Sequence, residues 1–493
     1  MKQLVVEKNN PTPILWDTPI PNPGPGEILI KNHYSVVSSG TELAAIEVAN
    51  TSVADKLQNS SNIDKGLDLL KKEGLGAVWN AVFPKNLLPL QLGYSSSGEV
   101  VKVGKGVSGY HVGDRVVSNG GHAEYVVVNE NLCSRIDENT DIKEAAFTVL
   151  GSIALHGLRL SETTLGSKVV VIGLGVIGQL VCRLAEAQGS EVTGLDPDPE
   201  RSKNGDNFFI SADDVELSDI DTVIITAATS SNEPIELATK IARNKAKIVV
   251  VGDIPLNISR NDFYYKELEL VVSKSYGPGR YDKQYEALGN DYPIEYVRWT
   301  ENRNFEAFTK LLSQKQIHLL DLVSEELAFE DAPSVYEKFD NEIKPLSIVL
   351  RYNIEAEPKI EIANDVQPEP RTSKVNVGIL GAGNFAATTI MPVLKELKRE
   401  CKVLGIASSK GLSAESLAKN FKIKNKYSTE EEILNAEEID AVLILTPHYN
   451  HSDLVIKALN KGKAVYVEKP LALDLQSITD IEESIYRSEN PKL

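Results

Sequence analysis

Apolar and polar positions alternate with a period of two along the first part of the chain. Gly24-Pro-Gly-Glu27-Ile-Leu-Ile-Lys, Gly98-Glu-Val-Val-Lys-Val-Gly and Asp114-Arg-Val-Val-Ser each read as a short strand between glycine turns. One stretch, about Ala54 to Phe83, breaks this pattern. Its Leu67, Leu69, Leu70, Leu75 and Val78 have helical spacing. From about residue 145 to 275 the pattern changes to β-branched runs separated by helical stretches. The runs are Val169–Ile172, Glu191–Leu195, Thr222–Thr226, Lys247–Val251 and Leu268–Val272. Such alternation predicts a doubly wound parallel sheet. A mixed pattern follows to Tyr352. Residues 353–374 then read as a linker, polar and containing Pro358, Pro368 and Pro370. A second α/β unit begins at Val375, with strands at Val375–Leu380, Val403–Ala407, Ala441–Leu445 and Ala464–Val467.

Each α/β unit opens on a glycine-rich turn. The first has Gly173, Gly175 and Gly178 after Lys168-Val-Val-Val-Ile. The second has Gly381, Gly383 and Ala386 after Val375-Asn-Val-Gly-Ile-Leu. A lone G-x-G-x-x-G is a weak signal, but strand before and helix after is the context that gives it meaning. The first glycine allows the tight turn, the second lets backbone approach a pyrophosphate, and the third lets helix pack on strand. The helix N-terminus then offers unpaired N–H groups to phosphate. In the first unit Asp196 follows the second strand, where a carboxylate can accept both ribose hydroxyls and repel a 2′-phosphate, which favours NAD. The short stretch after Arg201, with Asn204-Gly-Asp-Asn, predicts that the third helix of the sheet is truncated. In the second unit Ser408-Ser409-Lys410 replaces the acid, so NAD or NADP is expected there.

Composition narrows the partners. The chain has 493 residues, enough for two or three domains, and a net charge of −18. That charge argues against a nucleic acid or an anionic membrane surface. Cys133, Cys182 and Cys401 are too dispersed for a disulfide framework, which fits a cytoplasmic setting. The most apolar run, Val169 to Cys182, is too short and too broken to cross a bilayer.

With Gly24-Pro-Gly-Glu, Gly98-Glu-Val-Val, Gly113-Asp-Arg-Val, His122-Ala-Glu-Tyr and the first fingerprint, the first 352 residues resemble the medium-chain, alcohol-dehydrogenase-like superfamily. The resemblance implies a β-rich GroES-like domain (1–144 and 276–352) around a Rossmann domain (145–275). Zinc-bearing members carry a Cys in a C-G-x-D-like turn and a His-Glu pair after a glycine. Here Ser38-Ser39-Gly-Thr-Glu42 and Gly93-Tyr94-Ser95 stand at those places, and the four-cysteine lobe is absent. Ser39, Tyr94 and Ser95 do not make a zinc site, so no metal is expected. Protons must then stabilise a substrate alkoxide. Tyr94, Glu42 and His122 are the catalytic candidates, with Ser39 and Thr41 beside the substrate. The Arg- and Tyr-rich stretch Lys274-Ser-Tyr-Gly-Pro-Gly-Arg280-Tyr281-Asp282, continuing to Arg303, adds Arg280 and Tyr281 as substrate candidates; the same residues also suit an aromatic-lined domain interface.

The second unit (375–493) resembles the N-terminal half of the glucose–fructose oxidoreductase/inositol dehydrogenase (MocA-like) family. Its carriers are the second fingerprint, Thr446-Pro447-His448-Tyr-Asn-His451 and Val467-Glu468-Lys469-Pro470. The resemblance implies that Lys469 is a catalytic residue beside nicotinamide and substrate, positioning the hydroxyl and helping to move its proton, with Glu468, Pro470 and Ser408 near the cofactor. Members continue into a substrate domain, whereas this sequence stops 23 residues after Pro470.

The expected fold class is therefore multidomain α/β: a GroES-like domain plus two Rossmann domains. The pairing of halves resembles two-domain oxidoreductases of bacterial surface-polysaccharide clusters. It implies a zinc-independent, NAD(P)-dependent, homo-oligomeric enzyme acting on a sugar or sugar-nucleotide-like substrate. A quinone- or enoyl-type reductase and a non-catalytic dinucleotide sensor or scaffold remain as alternatives.

Overall fold

The computed structural model describes residues 1–7, 10, 12–50, 88–203, 205–340, 345–355 and 374–488. The helical stretch expected near 54–83 and almost all of the expected linker lie outside these residues. Contacts divide the chain into two compact units. One comprises Pro25–Ala44 and Leu92–Glu355; the other joins Met1–Gly24 and Ala45–Gln91 to Ala356–Leu493.

The first unit holds two sheets. A seven-stranded sheet runs in the order Glu325–Ala328, Ile348–Arg351, Glu27–Val37, Ser96–Val103, Arg115–Ser118, Cys133–Arg135, with Tyr125–Asn129 also paired to Glu27–Val37. Most of its ladders are antiparallel, as short strands joined by glycine turns require. Helix α1 (Ser39–Asn50) leaves the end of the strand Glu27–Val37. Helix α2 (Thr148–Ser161) leads into the second sheet and packs Leu150, Ala154 and Leu158 into the core.

That second sheet is wholly parallel, in the order Phe208–Phe209, Glu191–Leu195, Lys168–Ile172, Ile220–Ile225, Ala242–Val250, Glu269–Val272. Its central strands are buried on both faces, which is why they read as unbroken Val/Ile runs. Helix α3 (Val176–Ala187) follows the central strand and buries Leu180, Val181 and Leu184. The helix after Glu191–Leu195 is one turn, Pro199–Ser202, the truncation expected. Helix α4 (Glu301–Ser313) closes the unit by packing Phe305 and Phe308 inward; Phe308 fits because position 151 is glycine, where a Cβ would come within 2.1 Å of its ring.

The other unit has a five-stranded parallel sheet in the order Asn425–Tyr427, Cys401–Ala407, Val375–Leu380, Ala441–Ile444, Ala464–Val467. Helix α5 (Gly411–Phe421) and helix α6 (His451–Asn460) flank it. A small antiparallel sheet, Ile14–Asp17, Lys2–Val6 and Leu90–Gln91, lies on α5. Val5 and Trp16 close over Leu412, the Lys419 ammonium sits 3.7 Å from the centre of the Trp16 ring, and Asn22 N–H donates to the Ser409 carbonyl at 2.9 Å. Gly411 has no Cβ because one would lie 1.9 Å from the Pro19 carbonyl oxygen.

Candidate active site and dinucleotide turns

Both parallel sheets reverse strand order beside their central strand, and the glycine turns sit at that switch point, where open α/β sheets bind ligands. Gly173 has φ +98°, and a Cβ on it would meet the Ala227 amide at 2.6 Å. A Cβ on Gly178 would lie 1.9 Å from the Gly173 carbonyl oxygen. At Gly175 the nearest neighbour is the Arg201 guanidinium at 3.6 Å, and no side chain caps the first turn of α3. The backbone is therefore open where a pyrophosphate would approach. Asp196, 5% exposed, accepts the Leu174 N–H at 2.7 Å and the Asp198 N–H at 2.9 Å, with Arg201 at 3.7 Å. The carboxylate thus fixes the glycine turn from the next strand. A dinucleotide fits this turn.

The second turn is built alike. Gly381 has φ +103°, with the Leu445 carbonyl 2.6 Å from a would-be Cβ. Nothing lies within 4 Å of a Cβ on Gly383, so that cradle is open. Ala386 is buried and starts a π-type turn, Ala386–Ile390. Ser408 is buried, and its Oγ accepts the Lys410 N–H at 3.3 Å. Glu468 accepts from the Tyr466 hydroxyl at 3.3 Å, and Lys469 lies on the turn that ends in Pro470. The Thr446 hydroxyl is buried without a hydrogen-bond partner among the described residues.

Tyr94, Thr41, Glu42 and His122 join one polar network at the start of α1. The Tyr94 hydroxyl lies 2.8 Å from Ser38 Oγ and 3.2 Å from Thr41 Oγ1. Burial, with Glu42 and Tyr281 nearby, raises the Tyr94 pKa despite those hydrogen bonds. Beneath it, Glu42 is 3% exposed; its carboxylate accepts the Ser38 N–H at 2.8 Å and the Tyr336 hydroxyl, and lies 3.2 Å from His122 Nε2. His122 is fully buried, with Nδ1 2.7 Å from Ser35 Oγ, which is 2.8 Å from the Tyr352 hydroxyl. One assignment satisfies every group: Tyr352 donates to Ser35, Ser35 to His122 Nδ1, and His122 Nε2–H to an ionised Glu42. Ser95 Oγ points elsewhere, donating to the Ala146 carbonyl at 2.6 Å. The Ser39 side chain lies outside the described set.

Across from Tyr94, Tyr276 packs in the same cluster. Arg280 stacks on Tyr276 and Tyr281 (5.1 and 4.1 Å to the ring centres) and pairs with Glu286 at 2.5 Å; Tyr281 is largely exposed. Glu301, at the start of α4, is fully buried with neither carboxylate oxygen hydrogen-bonded among the described residues. Ser35, Ser38, Tyr336, Tyr352 and Glu301 were not foreseen as site residues. The two tyrosines lie about 300 residues from the groups they touch, beyond any local pattern.

Hydroxyls of Tyr94, Ser38 and Thr41 stand where the resemblance places imidazole and thiolate ligands, and Glu42 is already engaged with the Ser38 amide and His122.

Residues 375–490 match the "Oxidoreductase family, NAD-binding Rossmann fold", and residues 66–138 match the "Alcohol dehydrogenase GroES-like domain". The chain is similar to (R,R)-butanediol dehydrogenase of Bacillus subtilis, at 29% identity over 31% of this chain and 52% of the relative. It is similar to 2-dehydro-3-deoxy-L-galactonate 5-dehydrogenase of Pseudoalteromonas atlantica, at 24% identity over 54% of this chain and 84% of the relative. Galactitol-1-phosphate dehydrogenase from Escherichia coli shares the fold, with a TM-score of 0.53, 19% identity, and coverage of 71% of this chain and 100% of that one. The chain is thus an oxidoreductase that joins a medium-chain, alcohol-dehydrogenase-like unit with its GroES-like domain to an NAD-binding Rossmann unit of the glucose–fructose oxidoreductase/inositol dehydrogenase (MocA) type.

Proposed function

We propose that the first unit is a zinc-independent dehydrogenase acting on a hydroxyl or carbonyl carbon of a sugar or sugar-nucleotide-like substrate, with NAD as its coenzyme. The observation that carries this reading is the Tyr94 hydroxyl, held between Ser38 and Thr41 where zinc-bearing relatives place a ligand. A bound nicotinamide supplies or accepts the hydride. Tyr94 moves the proton at the substrate oxygen. Burial raises its pKa, so the phenol is protonated at neutral pH and can donate a hydrogen bond to the substrate oxygen. Glu42 and His122 act through α1, holding Ser38 and so the orientation of Tyr94. Ser39, Thr41, Arg280 and Tyr281 border the substrate. Asp196 supports NAD at the first turn, and its engagement by backbone amides leaves lone pairs for the ribose.

A sugar-like substrate is supported by relatives named for sugar acids and glycosides, among them D-guloside 3-dehydrogenase of Escherichia coli at 24% identity over 76% of its length. The second unit takes NAD or NADP, with Lys469 beside the nicotinamide end. The reading extends to a homo-oligomer serving surface-polysaccharide synthesis, and to a cytoplasmic setting, which the free thiols of all three cysteines support. No helix among the described residues is long and apolar enough to cross a membrane.

The test is Tyr94→Phe. Turnover with a sugar panel should fall about 10²–10⁴-fold, the range for a lost general acid, while NADH binding is retained. Purified chain should carry no stoichiometric zinc by elemental analysis. Unchanged turnover in Tyr94→Phe, or one tightly held zinc per chain, refutes the assignment.

A further inference from the structure

His451 is fully buried at the start of α6, and both of its ring nitrogens face carbonyl oxygens. Nδ1 lies 2.7 Å from the Pro470 carbonyl oxygen and Nε2 lies 2.9 Å from the Thr446 carbonyl oxygen. A carbonyl only accepts. A neutral imidazole has one N–H and one lone pair, so it can serve one of these contacts and must set lone pair against lone pair at the other. Only the imidazolium, with two N–H donors, satisfies both. The ring is shut away from water, so no solvent replaces a missing bond.

The two carbonyls belong to the ends of neighbouring strands. Thr446 follows Ala441–Ile444, and Pro470 follows Ala464–Val467, beside the turn that carries Lys469. We propose that His451 is a doubly protonated clamp that pins the Glu468–Lys469–Pro470 turn to the Thr446 turn, so that proton loss releases one of them. His451 is thereby a positioning residue for Lys469, whichever substrate the enzyme takes.

His448 meets the ring edge-on at 5.5 Å between centroids. Glu468 and Lys469 lie on the clamped turn, and Asp453 lies in the first turn of α6. From the neighbouring helix Leu475–Arg487, the acids Asp480, Glu482 and Glu483 are the nearest charges in sequence to its buried residues Ile481 and Ser484. None of these carboxylates makes an ion pair with His451 among the described residues. The N-terminus of a helix also disfavours a cation.

The experiment uses the full chain with ¹⁵N-labelled histidine. At pH 6 both ring nitrogens of His451, assigned through His451→Gln, should show protonated shifts. On raising pH to 9, one should lose its proton. Over the same interval, amide hydrogen exchange of the peptide spanning residues 466–472, corrected for intrinsic pH dependence, should rise at least tenfold. Gln offers two N–H donors that do not titrate, so His451→Gln should hold the turn without that pH-dependent rise. A singly protonated His451 at pH 6 overturns the proposal. So does exchange that rises equally in His451→Gln, or exchange that ignores the loss of the proton. Should His451→Gln fail to fold, selective loss of the native chain's protection in step with its own ¹⁵N titration decides the matter. None of these readouts needs turnover, so they stand apart from the Tyr94 assignment.

Discussion

Replacing Glu301 by glutamine should make the protein more stable at alkaline pH and leave it unchanged at acid pH. Glu301 begins α4 behind the cap Thr300, and its N–H donates to the Pro278 carbonyl at 2.8 Å. Its carboxyl is fully buried without a hydrogen-bond partner among the described residues. Burial, with the like charge of Glu286 and despite Arg280, pushes its pKa from 4.5 up to about 8. The native carboxyl therefore holds its proton more tightly than the unfolded one. The resulting stability is fully present below pH 4.5 and is lost as pH rises through about 8. At about 1.4 kcal/mol per pH unit, that interval amounts to about 5 kcal/mol. The glutamine side chain of Glu301→Gln would fill the same space and never ionise. Urea unfolding at pH 5, 7 and 9 should show the Glu301→Gln and native curves nearly superimposed at pH 5. They should then separate by several kcal/mol at pH 9, with equal denaturant slopes. Parallel pH dependence in the two proteins would refute the reasoning, because it would mean that Glu301 ionises in the native state near its ordinary value.

Asp196→Ala leaves the Leu174 and Asp198 amides without their acceptor, at about 1–3 kcal/mol each, and removes one of the two carboxylates beside Arg201, which keeps Asp198 at 3.4 Å. Calorimetric titration of the first unit's site should show NADH binding weakened at least tenfold and NADPH less affected; an unchanged ratio would mean that selection lies elsewhere. Trp16→Ala removes the ring that closes over Leu412 and should destabilise the unit containing α5 by about 3–5 kcal/mol. Hydrogen exchange should locate the loss on residues 411–421, and an effect confined to residues 92–355 would contradict the packing.

The parallel sheets were legible because their signal is local. A β-branched run such as Val169–Ile172, buried on both faces, leaves no polar position to confuse it. The strand Phe208–Phe209 was not, since two residues carry no periodicity. Within the site, Tyr94, Glu42 and His122 were singled out separately from motif positions, and the structure brings them into one network. Their dependence on Tyr336 and Tyr352 was hidden, because contacts set by tertiary closure leave no pattern in the local sequence. The same applies to Trp16, an aromatic in a short strand whose partner helix lies about 400 residues further along the chain.

That last contact has a consequence for how the protein is made. The sheet formed by Lys2–Val6 and Ile14–Asp17 leaves the ribosome about 400 residues before Leu412 and Lys419, which cover its Trp16. At 5–20 residues per second, the indole waits roughly 20–80 s for its cover. Meanwhile residues 25–355, which hold both sheets of the other unit, are completed in between. The early hairpin thus serves as a receptor for a domain made much later, and the nascent chain must keep an apolar face unoccupied until that domain arrives.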